Sequence, residues 1–367
     1  MNIFFRFFIL FFIALATNFS FTTPASDQKQ DFLLQETEEK VPETIKEKES
    51  VLDTKTPEKP EMLVVSSGNL PEQPQVSIVA TQPEKSTIDF ETINTRARES
   101  LVNVLCLAKG GGLLPITGSG VFVSEKGVIL TNAHIGQYFL LDNFVDCFIR
   151  TGSPATAKYK ASLLYISKRW VVENSKSIVT DNPKGTGEND YALLLVTETT
   201  NNSQLPGVFP HLEMELTNEP QQNDAVLIAG YAAGFLGGLT IENGLSILST
   251  INNIANIFTF KETTVDLLSI SGSIVSQKGS SGGAVVNEKG KLAGIVATAT
   301  QESETETREL RAITTGHVNR SFSEEVGESI PLFFSQNLQE KMKFFRDFEF
   351  PSLQKILLDK IAEKNKN

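Results

Sequence analysis

Gly279-Ser280-Ser281-Gly282-Gly283-Ala284 is the stretch on which the reading of this 367-residue chain turns. A serine between glycines, leading into apolar Ala284-Val285-Val286, marks a tight turn at the edge of a strand. Gly279 can take a backbone conformation that a side chain would disfavour, and so aim its N–H into the turn. With the N–H of Ser281 it would hold an oxygen that gains negative charge during a reaction. Taken alone, the string also fits a flexible Gly/Ser loop. Two distant segments make it informative. Thr131-Asn132-Ala133-His134 follows the apolar run Gly127-Val128-Ile129-Leu130, and Asp190 opens the apolar Tyr191-Ala192-Leu193-Leu194-Leu195-Val196. A serine hydroxyl is a weak nucleophile and needs a base within hydrogen-bond reach. An imidazole, titrating near pH ~6.5, suits that role. His, Asp and Ser follow one another along the chain, 56 and then 91 residues apart, each at the edge of a strand-like run.

That order is the one found in chymotrypsin, unlike the orders in subtilisin and the α/β-hydrolases. The segment from about Ile93 to Ser321 resembles the trypsin-like peptidase fold, closest to the bacterial HtrA-like branch. The matching pieces are Gly118-Ser119-Gly120-Val121-Phe122-Val123, the Thr131–His134 turn, the strand after Asp190, Val226-Leu227-Ile228-Ala229-Gly230-Tyr231, the Ser281 turn and Leu292-Ala293-Gly294-Ile295-Val296. The resemblance implies an all-β domain of two antiparallel six-stranded β-barrels, with the active site in the cleft between them. His134 and Asp190 would come from the first barrel and Ser281 from the second, with the boundary between residues 201 and 219. It implies a serine endopeptidase acting on polypeptides, with His134 as base, Asp190 orienting it, and the Gly279 and Ser281 amides as oxyanion hole. It further implies that Val275, Ser276, Ala297, Thr298 and Ala299 line the primary specificity pocket. None of these is charged, so a basic side chain would lose hydration without gaining a counter-ion. Small or medium apolar side chains are therefore expected before the scissile bond. Digestive enzymes of the family carry an aspartate before the nucleophile that pairs with a newly freed N-terminus. Here Ser280 stands there, so no processing near Ile93 is expected for activity.

Each residue has a competing role. Ser280 is the neighbouring hydroxyl, though the glycine pair directly after Ser281 favours Ser281. Of the three histidines, His211 reads as a loop residue and His317 as a strand end; Asp142, Asp146 and Asp181 compete with Asp190 but lead into no continuous apolar strand. A catalytically silent barrel that retains the fold for recognition, or an esterase using the same three residues, would carry the same pattern. No metal-ligand spacing, phosphate loop or dinucleotide fingerprint occurs, so neither metal nor cofactor is expected. No basic face or aromatic platform points to nucleic acid. Short strands with turn residues recur from Leu101 to Thr315. After Ser321, Leu338, Met342, Phe345, Leu353, Ile356, Leu357 and Ile361 recur at helical spacing. Residues 322–367 are thus expected to form a helical extension; the resemblance implies that it packs on the second barrel, and it is too short for the PDZ module that HtrA-like proteases often append.

The N-terminus divides the chain further. Arg6 precedes the apolar block Phe7–Ala16, and Ala14-Leu15-Ala16 offers small residues for cleavage, so residues 1–25 read as a signal peptide. An uncleaved membrane anchor is the alternative; either places the barrels outside the cytoplasm. Residues 26–92 are rich in Pro, Glu, Lys, Thr and Gln with almost no aromatics. Such a stretch cannot bury enough apolar surface to offset its ordering entropy, and is expected to be a disordered linker with a transient helix near residues 36–49. Most of the formal net charge of −11 sits in it. The two cysteines, Cys106 and Cys147, are expected to be bonded in an oxidising compartment, closing a loop worth roughly 3–4 kcal/mol. Two buried free thiols are the alternative.

Overall fold

The computed structural model describes residues 89–110, 113–180, 186–234, 236, 238–260, 263–299 and 309–366. The leader, residues 26–88 of the expected linker and the helix expected near residues 36–49 lie outside them, while residues 89–92, expected in the disordered linker, instead open a helix because Asp89 caps it. Asp89 opens the first helix, α1 (Phe90–Ser100), its carboxylate accepting from the N–H groups of Glu91 and Thr92. Such a cap satisfies donors that a helix start leaves unpaired. Ile93 and Ala97, four apart, form the buried stripe of α1. At Leu101 the backbone turns extended and the first barrel begins.

That barrel contains β1 (Leu101–Ala108), β2 (Ile116–Ser124), β3 (Val128–Thr131), β4 (Val145–Thr151), β5 (Thr156–Ile166) and β6 (Ala192–Thr199). Its strands close in the order β1-β2-β3-β6-β5-β4. Between β3 and β4 lie α2 (Ala133–Gly136) and a tighter turn, Gln137–Leu141; α3 (Lys168–Asn174) follows β5. The second barrel contains β7 (Ala225–Gly230), β8 (Leu248–Phe258), β9 (Leu267–Ser271), β10 (Ala284–Asn287), β11 (Leu292–Ala299) and β12 (Glu309–Thr314), with α4 (Gly238–Asn243) between β7 and β8. It closes as β10-β11-β12-β9-β8-β7, the same order as the first read from its fourth strand. Two antiparallel six-stranded barrels of the trypsin-like fold therefore stand where the sequence leads one to expect them.

Alternate residues of a strand face opposite sides. Ala192, Leu194 and Val196 of β6 join one apolar cluster with Val102, Val104, Phe122 and Ile129. Leu193 and Leu195 join another that includes Leu227, Ala284 and Ile295 of the second barrel. Both faces of β6 are buried, which is why it is an unbroken apolar run. A disulfide joins Cys106 and Cys147, directly opposed on β1 and β4.

Several expectations need correction. β8 carries no strand pattern legible in the sequence, because Asn252, Asn253 and Asn256 break its apolar run and much of the strand is exposed. The strand expected from Asp190 begins only at Ala192. His317 lies in α5 (Thr315–Val326), not at a strand end. The C-terminal helices are α5, α6 (Ile330–Ser335), α7 (Leu338–Phe344) and α8 (Phe350–Lys364), with a wide helical turn, Phe345–Glu349, before the last. α5 begins seven residues before the expected 322 and buries Val318 and Phe322 in the cluster shared with the second barrel. The last segment instead serves the first barrel: Phe345, Phe350, Leu353 and Leu357 pack with Leu140, Val171 and Ile178. Gln354 Nε2 donates to the Leu140 carbonyl at 2.8 Å, and Arg346 pairs with Asp142 at 2.7 Å. Among the described residues, no helix is long and apolar enough to cross a membrane.

Candidate active site

His134 sits on α2, one turn of helix held between Asn132 and β6. The Asn132 side-chain amide donates to the Asp190 carbonyl at 2.9 Å. Asp190 then binds His134 twice: Oδ1 accepts the backbone N–H at 2.9 Å, and Oδ2 accepts from Nδ1 at 2.8 Å. A carboxylate can only accept, so Nδ1 carries the proton and neutral His134 keeps a free lone pair on Nε2. The Asp190 side chain is 7 % exposed and that of His134 is 23 % exposed. Burial acts to push the imidazole pKa down, but the adjacent Asp190 carboxylate and its hydrogen bond outweigh this, leaving His134 above its ordinary 6.5.

Supports on two sides hold this pair. Gln137, buried, donates from Nε2 to the His134 carbonyl at 3.0 Å and to Ser177 Oγ at 3.2 Å. Asn189 has φ +60°, the left-handed region that asparagine tolerates better than most residues. Its Oδ1 accepts from Ser321 Oγ at 2.7 Å, and Ser321 Oγ accepts from the Tyr191 hydroxyl at 3.0 Å. Helix α5 thus fixes the turn that presents Asp190. None of these supports was legible in the sequence, since Gln137 and Ser321 carry no motif and Ser321 lies 131 residues from Asp190.

Ser281 belongs to a loop in which the four carbonyls from Lys278 to Ser281 are tied down. The Lys278 oxygen accepts from Ala233 N–H at 2.7 Å, the Gly279 oxygen from Ser119 Oγ at 2.8 Å, the Ser280 oxygen from Gly283 N–H at 2.8 Å, and the Ser281 oxygen from Ser119 N–H at 2.7 Å. A trans peptide points its C=O and N–H in opposite directions. Tying the Lys278 and Ser280 carbonyls therefore turns the Gly279 and Ser281 N–H groups the other way. Neither N–H has a partner among the described residues. Two glycines are required: Gly279 at φ +92° and Gly282 at φ +82°, where a Cβ would lie 2.7 Å from the Tyr231 oxygen and 2.0 Å from the Ser119 oxygen respectively.

The two candidate hydroxyls differ plainly. Ser280 is buried and donates to the Gln277 carbonyl. Ser281 is half-buried, and among the described residues its hydroxyl has only a long contact of 3.5 Å to the Ala297 carbonyl. Of the five residues expected in the specificity pocket, Val275 is fully buried in the core of the second barrel. Ser276 is buried with a hydroxyl that lacks a hydrogen-bond partner among the described residues. Ala297 is buried next to Ser281, and Thr298 and Ala299 continue β11 opposite Arg311 and Leu310. His211 lies in the connection between the barrels, and His317 bonds Asp266 far along the chain from the Asp190 pair.

Residues 118–295 match the family model of the trypsin-like peptidase domain. A crystal structure of the Rv3671c protease from M. tuberculosis, in its active form, aligns at 17 % identity with a TM-score of 0.41, covering 63 % of this chain and 82 % of that one. No curated protein matches the chain significantly. The two barrels have the trypsin-like fold, and residues 118–295, with His134, Asp190 and Ser281 among them, are similar to the trypsin-like peptidase domain.

Proposed function

We propose that this protein is a serine endopeptidase whose working residues are His134, Asp190 and Ser281. The observation that carries the reading is the doubly bonded Asp190–His134 pair, which leaves Nε2 as the ring's free base. In the proposed cycle Ser281 Oγ attacks the peptide carbonyl carbon while Nε2 takes the hydroxyl proton. The carbonyl oxygen, now negative, accepts from the Gly279 and Ser281 N–H groups. The imidazolium, stabilised by Asp190, gives its proton to the departing amine as the C–N bond breaks. Water then attacks the acyl-serine, with Nε2 again taking a proton, and the acid product and free hydroxyl are regenerated.

The uncharged set Val275, Ser276, Ala297, Thr298 and Ala299 supports a preference for small or medium apolar side chains before the scissile bond. The apolar leader at Phe7–Ala16 and the bonded cysteine pair support work outside the cytoplasm, on envelope or unfolded proteins, whether secreted or tethered at a membrane. The motifs matched between Gly118 and Val296 support the HtrA-like branch. Ser280, bound to Gln277 within its own loop, supports activity without cleavage near Ile93, which is itself buried in α1.

A fluorophosphonate probe tests the reading directly. It is expected to label the wild-type protein at Ser281, and Ser281→Ala is expected to abolish both labelling and casein cleavage. Absence of labelling would leave a silent recognition barrel instead. Labelling with turnover of a simple ester but not of casein would make the protein an esterase.

A further inference from the structure

Ser119 has no place in the catalytic scheme above, yet all its polar groups are engaged at the Ser281 loop. It is fully buried on β2 of the first barrel. Its N–H donates to the Ser281 carbonyl at 2.7 Å. Its hydroxyl donates to the Gly279 carbonyl at 2.8 Å and accepts from the Tyr231 N–H at 2.9 Å. Its carbonyl accepts from Thr131 Oγ1 at 2.7 Å, three residues before His134. The proton assignment of the hydroxyl is forced, because the Gly279 oxygen can only accept and the Tyr231 N–H can only donate.

Three parts of the site therefore meet on one side chain. Tyr231 directly follows β7 and leads to Ala233, which ties the Lys278 carbonyl. Gly279 carries one of the two free N–H groups, and Thr131 leads into α2. A loop whose successive peptide planes must each keep one orientation has few internal means of doing so, especially with two glycines in the left-handed region. The hydroxyl of Ser119 reaches across from the other barrel and supplies one.

We propose that Ser119 is a positioning residue: holding the Gly279 and Ser281 carbonyls, it fixes the Gly279–Ser280 and Ser281–Gly282 peptide planes and so locks the adjoining Lys278–Gly279 and Ser280–Ser281 planes, whose N–H groups face the developing oxyanion. This rests on the serine-hydrolase reading. Ser119 itself touches no substrate. The peptide planes bear on the transition state more than on the bound substrate, so the effect belongs in kcat.

Removing the hydroxyl in Ser119→Ala is expected to lower kcat about 100-fold, the scale on which ångström misplacement acts, while KM stays within about twofold. A peptide boronate, which places an oxygen where the oxyanion forms, is expected to bind more weakly by the same factor as kcat falls. Should the alanine variant not fold, Ser119→Cys keeps the size with a weaker donor, and about a tenfold loss in kcat is expected. Full kcat in either folded variant overturns the proposal, as does a loss carried by KM with boronate affinity unchanged. A labelled, active wild type beside a fully active Ser119→Ala sinks this proposal alone; a wild type that resists the fluorophosphonate sinks the serine-hydrolase reading and this proposal with it.

Discussion

Among the described residues are two Asp–His pairs, and they are built for opposite ends. Asp190 and His134 meet at 2.8 Å, Asp266 and His317 at 3.2 Å. In the first, Asp190 offers both oxygens to one residue and the imidazole keeps 23 % of its side-chain surface. In the second, Asp266 is shared among Arg320 Nη2 at 2.6 Å, the Phe260 N–H at 2.7 Å and Thr264 Oγ1 at 2.9 Å, and the histidine is packed edge-on against Phe260. Burial would raise the Asp266 pKa, but the Arg320 guanidinium and the other donors pull it down to about 2. The first pair leaves a nitrogen for chemistry; the second is a bolt between the Phe260–Asp266 stretch and α5. An aspartate beside a histidine is thus no signature of catalysis. What distinguishes the two is how many other donors claim the carboxylate and whether the ring keeps an open edge.

The sharpest way to break this comparison is to remove one carboxylate charge at a time. Asp190→Asn is expected to lower kcat/KM about 10⁴-fold by favouring the wrong imidazole tautomer, with the fold intact by circular dichroism. A loss below tenfold would show that Asp190 does not set the histidine. Asp266→Asn is expected to do the reverse: stability falls by about 3 kcal/mol in urea unfolding, as when a buried ion pair loses one partner, while activity per folded molecule is unchanged. Lost activity in fully folded Asp266→Asn would mean that the second pair is coupled to the site.

The smallest effect lies in pH. His134 is raised above 6.5, so its attraction to Asp190 stabilises the fold fully below that value and fades as pH rises through the raised folded value. Catalysis needs the neutral ring, so activity is expected to rise with pH through a midpoint above 6.5. Asp266 has the opposite sign: its depressed pKa stabilises above the unfolded value near 3.8 and that contribution is lost as pH falls toward about 2. Activity should therefore fade on acidification well before the fold weakens. A kcat/KM midpoint below 6.5 would contradict the His134 environment described here.

Much of this was legible before any coordinates. The glycines around Ser281 announce a turn with positive φ, and the unbroken apolar run of β6 announces a strand buried on both faces. Other parts were not. β8 hides behind its asparagines because pairing, not its own pattern, makes it a strand. The last helical segment packs on the first barrel, although it follows the second in the chain, because apolar spacing gives a buried stripe without saying what will cover it. Gln137 and Ser321 support the His134 and Asp190 turns through contacts that no local motif encodes.

By itself the sequence determined the residue types, their order and the local turns: a serine among glycines, a histidine after one strand and an aspartate before another. These follow from short-range sterics and hydrophobic periodicity, which act over a few residues. Tertiary structure alone decided that one Asp–His pair stays open while the other is locked. It also decided that Ser119 meets Gly279 and Ser281 across 160 or more residues of chain. Such contacts depend on barrel closure, and closure brings together groups whose separation along the chain carries no information about their distance in space.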